Sequence, residues 1–271
     1  MSEFLELVKS RRSVRTFDGQ RLDAAVVLEL KSFANNIVNP YGIPVKFAFL
    51  DADEHKLSSP VLAGEKLYVS AVVAKGEHAE EAYGYAFEAL LMQAHKLGLG
   101  TVWIGGTMPR EKFEKATGLA ENEVMPCVSP LGKVAKKMSV KETLMRKGVK
   151  ADSRYDFEEL FFAGDFGTPL TAGKAMEAGI RDALESVRLA PSAVNKQPWR
   201  VVVGDRVAHF YEKHDKGYIT PDYDLQKIDL GIGMYHFEQE LLAEGRSPKC
   251  EVSDPGIAAP AGVDYVVSYR W

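Results

Sequence analysis

Residues 190–199 read A-P-S-A-V-N-K-Q-P-W. The stretch ends a helical pattern and leads into a buried strand. Its two prolines each remove a backbone donor and fix φ, so the bend is stiff. Ser192, Asn195 and Gln197 add hydroxyl and amide groups, and the flat ring of Trp199 follows. Such a corner suits a planar, hydrogen-bonding ligand. The same residue types also build a plain helix-to-strand turn whose polar groups satisfy local backbone.

Outward from this bend the pattern is regular. Residues 176–189 predict a helix with Ile180, Ala183, Leu184 and Val187 along one side. Strands are expected at 200–203, 209–211 and 264–271. A long apolar helix is expected at 228–242, stopped by Gly245. The first half reads similarly. Phe4, Leu5 and Val8 have helical spacing, and Asp23 caps a second helix carrying Ala24, Val27, Leu28, Leu30 and Phe33. Strands are expected at 45–50 and 67–74, then a helix at 80–97 that is small or apolar on several faces, as a central helix is. Gly98 and Gly100 end it. A short strand at 101–104 precedes Gly105-Gly106, a helix is expected at 110–117 and a strand at 124–134, and 140–150 is basic and irregular or helical.

Two further stretches carry candidate chemistry. Residues 11–17 read R-R-S-V-R-T-F. Arg11, Arg12, Ser13 and Arg15 set three guanidiniums and a hydroxyl within five residues, a donor set that matches phosphate oxygens. Basic residues after a helix can equally just offset its dipole. Residues 97–106 read L-G-L-G-T-V-W-I-G-G, and 156–162 read D-F-E-E-L-F-F.

Together these four strings resemble the nitroreductase-like FMN oxidoreductases. That family carries A-P-S-x-x-N-x-Q-P-W at a helix–strand junction and R-R-S-x-R-x-F near the amino terminus. The order differs here, because the A-P-S string comes after the G-L-G-T segment. An internal repeat accounts for it. At an offset of 154, Leu30 meets Leu184, Ser32 meets Ser186, Pro44 meets Pro198 and Asp51 meets Asp205; at 147, Gly84 meets Gly231 and Gly98 meets Gly245. Residues 1–165 would be one half and 166–271 a second, shortened half. The expected fold is α+β and nitroreductase-like, with a mainly antiparallel sheet in each half and the two long helices packed together as in a pseudo-dimer. A monomer is then expected rather than a homodimer.

The resemblance also implies roles. Arg11, Ser13 and Arg15, with Arg12 nearby, would hold the FMN phosphate and ribityl chain. Arg154 would add another guanidinium. Pro191, Ser192, Asn195 and Gln197 would line the isoalloxazine from the other half, and Gly105 and Gly106 would bring main-chain donors to its edge, where lack of a side chain permits close approach. No side chain acts as a nucleophile or base; FMN does the redox chemistry. NADH or NADPH would deliver hydride, leave, and be replaced by a small-molecule electron acceptor such as a nitro compound or quinone. The alternatives are a flavin-binding or sensing protein with little turnover, and a chain that has lost flavin and serves as a packing module.

Bulk properties agree with an ordinary soluble globular protein. Of 271 residues, 46% are apolar and 27% charged, and the net charge of −4 gives no field that favours nucleic acid or an anionic membrane. Two cysteines without C-x-x-C spacing exclude a zinc ribbon and fit the cytoplasm. No signal-peptide core or spanning apolar run is present. The six histidines form no H-x-x-x-H pattern, so no metal is expected.

Overall fold

The computed structural model describes residues 2–271. None of its described helices is long and apolar enough to cross a membrane. The chain divides into two compact units. One is Arg11–Asp152; the other joins the segment up to Ser10 to Ser153–Trp271. This differs from the expected boundary at 165/166. The reason is packing. The first helix, α1 (Glu3–Ser10), lies against helices of the carboxyl-terminal stretch, and the D-F-E-E-L-F-F segment joins that stretch's sheet.

The 11–152 unit runs α2 (Ala24–Ala34), β1 (Val45–Asp51), β2 (Leu67–Ala74), α3 (Ala79–Lys96), α4 (Arg110–Thr117), β3 (Glu123–Val124), β4 (Val128–Leu131) and α5 (Val140–Gly148). β2 is central, with β1 antiparallel on one side and β3 and β4 antiparallel on the other. Its burial is nearly continuous, as a central strand's must be. α3 is buried along almost its whole length and stops where Gly98 takes φ +79°. The expected strand at 124–134 is split, because Met125-Pro126-Cys127 leaves the ladder. The expected strand at 101–104 is reduced to isolated bridges from Thr101 and Ile104.

The other unit continues with α6 (Phe157–Leu160), β5 (Phe161–Ala163), α7 (Ala172–Glu177), α8 (Arg181–Leu189), a single 3₁₀ turn (Ala193–Asn195), β6 (Trp199–Gly204), β7 (Val207–Lys213), α9 (Leu225–Ala243), β8 (Lys249–Glu251) and β9 (Val263–Arg270). The sheet order is β5-β6-β7-β9-β8, antiparallel except for the β5–β6 pair. One helix was expected at 176–189. Instead Gly179, at φ +69°, separates α7 from α8. β8, with only three residues, gave no alternating pattern to read. Trp199 does not face a ligand. Its ring is fully buried, and a Cβ built on Gly233 of α9 would lie 3.4 Å from it.

The segment carrying R-R-S-V-R-T-F is seated by glycines. Val14 and Phe17 point into the core, their neighbours away from it. The backbone is tied on both edges, Val14 N–H to Thr101 O (2.9 Å), Phe17 N–H to Ala63 O (2.8 Å) and Asp18 N–H to Lys133 O (3.0 Å). A Cβ on Gly100 would lie 2.8 Å from Val14 Cγ1, and one on Gly132 2.8 Å from Phe17 Cδ1. Gly64, at φ +80°, is tightest, since its Cβ would fall 2.4 Å from the Phe17 carbonyl oxygen. Backbone cannot yield there as a side chain could. Gly64→Ala is therefore expected to destabilise the protein by about 2–3 kcal/mol, read as a lowered urea midpoint. An unchanged midpoint would show that the segment is not held at this point.

Candidate functional site

In the 11–152 unit the candidate residues fall into a guanidinium cluster and a glycine turn. Arg11 Nε and Arg15 Nη1 are shielded from solvent and donate to nothing among the described residues. Burial pushes both guanidiniums below their ordinary pKa. Glu88 opposes this for Arg11 and Glu142 for Arg15, while Arg146, close to both, adds repulsion. Neither carboxylate is uncommitted. Glu88 accepts a hydrogen bond from Trp103 Nε1 at 2.8 Å. Glu142, fully buried on α5, accepts from Arg12 Nη1 at 2.8 Å and from Thr16 Oγ1 at 2.7 Å. Arg12 thus anchors α5 to the R-R-S segment, and Arg11 and Arg15 are left with positive charge the protein does not fully match.

Arg146 was not singled out from the sequence. It lies on α5 and pairs with Asp152. Its only sequence signal was the basic character of 140–150. The Ser139 hydroxyl caps α5 through the Glu142 N–H, which fixes the turn that delivers Glu142 inward.

The glycine turn is braced by another overlooked residue. Arg110, at the start of α4, donates to Gly105 O (3.0 Å), Met125 O (2.7 Å) and Pro126 O (3.1 Å). Three carbonyls on one guanidinium hold the turn against the Met125-Pro126-Cys127 break. Gly105 packs on Cys127, where a Cβ would come within 3.2 Å of Sγ, whereas nothing lies within 4 Å of a Cβ on Gly106. Neither amide donates to another described residue. A flat group could approach Gly106 without obstruction.

In the other unit the bend is a closed network. The Ser192 hydroxyl accepts the Gln197 N–H at 2.8 Å. Gln197 Oε1 accepts the Tyr155 N–H at 3.0 Å, and its Nε2 donates to Asn195 O at 3.2 Å. Asn195 Nδ2 donates to Ser153 O at 3.0 Å. Arg154, expected beside a phosphate, donates to Asn195 Oδ1 (3.3 Å) and to Leu189 O at the end of α8 (3.1 Å). The structure therefore brings Arg154, Ser192, Asn195 and Gln197 together, with Pro191 at the corner, and each polar side chain braces the bend. Val194 takes φ +50°, Asn195 +58° and Gln197 +49°. For a β-branched residue such as Val194 this is a strained conformation.

Beneath the bend sits Asp229 of α9, which the sequence reading missed inside an apolar helix. It is buried and accepts the Ala193 N–H through both oxygens, at 3.0 and 3.1 Å. Burial raises its pKa well above 3.8; the Ala193 bond opposes this, and Asp224 and Glu212 add to the rise.

With this geometry in view, comparison with known proteins is decisive at one level. The family model described as "Putative TM nitroreductase" matches residues 3–241. The chain belongs to that family. A nitroreductase-like fold is matched by a Thermotoga maritima structure described as a "putative nitroreductase", at TM-score 0.63 and 16% identity, over 99% of this chain and 92% of that one. A nitroreductase family protein from Clostridium novyi NT matches 49% of this chain and 86% of its own, at 22% identity and TM-score 0.42. An FMN-dependent nitroreductase from Clostridium difficile R20291 matches 52% and 94%, at 19% identity and TM-score 0.42. No curated protein matches.

Asp229 gives a pH signature. Its carboxyl titrates near 3.8 when unfolded and well above that when folded. Between those values the folded chain keeps a proton that the unfolded chain has released, so stability falls as pH rises through the window. Asp229→Asn, which carries no charge, escapes this. Urea unfolding from about pH 4 to about pH 8 should show the variant gaining on the wild type with rising pH. A difference that stays flat would mean that Asp229 is ionised in the fold.

Proposed function

We propose that this nitroreductase-family chain is an FMN-dependent oxidoreductase that uses NADH or NADPH to reduce a small unsaturated acceptor, such as a nitro compound or a quinone. The observation that carries the proposal is the pair of buried, acceptor-less nitrogens on Arg11 and Arg15. A buried donor without a partner costs about 1–3 kcal/mol, and more when charged. A phosphate monoester supplies the missing acceptors as bidentate, charge-assisted hydrogen bonds. The residues present therefore fit the phosphate end of FMN.

Bound FMN would supply the electron-transfer chemistry. The chain's own residues bind and orient. Arg11 and Arg15 would grip the phosphate, with Ser13 beside them and Arg12 holding α5 in place through Glu142. Gly105 and Gly106 would offer main-chain N–H groups to the ring edge, kept in position by Arg110. Pro191, Ser192, Asn195 and Gln197 are proposed ring contacts, stiffened in advance by the network that now satisfies them. Arg154 supports this corner through Asn195 Oδ1 and Leu189 O. Neither Cys127 nor Cys250 is in a disulfide, which is consistent with the proposed cytoplasmic setting.

The phosphate reading is tested by comparing FMN with riboflavin, which lacks the phosphate. The wild-type protein should bind FMN at least about 100-fold more tightly, as loss of two charged hydrogen bonds implies. Arg11→Ala and Arg15→Ala should each lose most of that preference while leaving riboflavin binding unchanged, as followed by flavin fluorescence. Anaerobic NADH or NADPH should then bleach the bound flavin. Binding without bleaching would leave a flavin-binding or sensing protein; equal affinity for FMN and riboflavin would remove the phosphate assignment.

A further inference from the structure

Three residues of the 153–271 stretch that the flavin reading does not use converge at one end of its sheet. Glu212 lies near the end of β7, His214 follows two residues later, and Asp224 stands at the amino end of α9. One ligand atom from each lies within 4.8 Å of the others. Glu212 and Asp224 are 1% and 8% exposed, so this is not a solvated acidic surface. His214 Nδ1 faces Glu212 Oε1 at 3.0 Å.

We propose that Glu212, His214 and Asp224 bind a divalent first-row transition-metal ion of the zinc type, with Asp264 as the residue that orients His214. The second observation is on the far side of the imidazole. His214 Nε2 lies 2.8 Å from Asp264 Oδ2, on the neighbouring strand β9. A carboxylate on the remote ring nitrogen is the arrangement that orients a metal-bound histidine and fixes its tautomer. With the ion bound, Nε2–H would donate to Asp264 and Nδ1 would give its lone pair to the metal held between it, Glu212 and Asp224.

The backbone holds each group in place. The His214 N–H donates to Gly262 O at 2.9 Å, and Glu212 pairs with Asp264 in the β7–β9 ladder. One oxygen of Asp224 accepts the Gln226 N–H at 2.8 Å, which fixes the carboxylate at the amino end of α9. One imidazole with two carboxylates suits zinc and its neighbours and not magnesium or calcium, which take all-oxygen shells. Three protein ligands leave a coordination position for water, as in open zinc sites. In linear sequence the set reads E-x-H followed ten residues later by Asp, which matches no spacing motif. That is why the histidine pattern predicted no metal. The proposal is independent of the flavin reading.

The test uses the full chain, stripped with a chelator and titrated calorimetrically at neutral pH with Zn²⁺ and, separately, Mg²⁺. One equivalent of Zn²⁺ should bind and Mg²⁺ should not compete. Asp264→Asn should weaken Zn²⁺ binding roughly 10–100-fold, the usual effect of losing an outer carboxylate. His214→Ala should abolish the one-equivalent step, with circular dichroism confirming the fold. Co²⁺ added to the wild type should give a visible spectrum that Zn²⁺ displaces, a readout that needs no variant. Absence of saturable Zn²⁺ binding, or binding that ignores both variants, would show that His214 is only an imidazolium bridging Glu212 and Asp264.

Discussion

A guanidinium nitrogen shielded from water and given no acceptor is costly, and the 11–152 unit contains two, Arg11 Nε and Arg15 Nη1. Much of that unit can be understood as the means of keeping them there. Val14 and Phe17 sink into the core on either side of Arg15 and Thr16, and Gly64, Gly100 and Gly132 remove the side chains that would lift the segment. Arg12, placed between the two, takes a different part by bonding Glu142 and drawing α5 across. The charge balance is left short by design of the packing, since Glu88 and Glu142 already serve Trp103 and Arg12. On the proposed reading, an anion would complete what the chain does not.

The bend of the other unit follows the opposite rule. Its hydroxyl and amides bond one another and nearby main chain, two nitrogens of the Arg154 guanidinium join them, and Asp229 holds the Ala193 amide from below. Strain at Val194 is sustained by these bonds. A corner built this way presents a fixed shape, whereas the arginine segment presents unmet charge.

The long elements were legible in the sequence because their periods are long. α2, α3, α9 and β2 show several repeats of a helical or buried pattern. Short pieces were not. Three residues of β8 carry no period, and Gly179 looks like any tolerated helix glycine until its positive φ is seen. Among candidate site residues, Arg11 and Arg15 drew notice because three guanidiniums lie within five residues of sequence. Arg110, Arg146 and Asp229 were not, because each acts through a contact distant in sequence. Arg110 meets carbonyls at 125 and 126, Arg146 lies near 11 and 15, and Asp229 meets the amide of 193. Trp199 misled for the same reason, since the space it fills is defined by Gly233. The boundary at 165 failed because it was drawn from repeat logic, whereas compactness follows contacts, and α1 contacts α8 and α9.

That last feature bears on how the chain reaches its final state. A ribosome releases the 11–152 stretch with every one of its sheet partners already made, so it can consolidate early. Helix α1 precedes that stretch in the chain, yet the helices it packs against end at 243. This amphipathic helix must therefore wait, solvated or transiently attached elsewhere, while the whole intervening unit is made. Its permanent neighbours arrive only after some two hundred further residues have been translated, about the span from Ser10 to the end of α9.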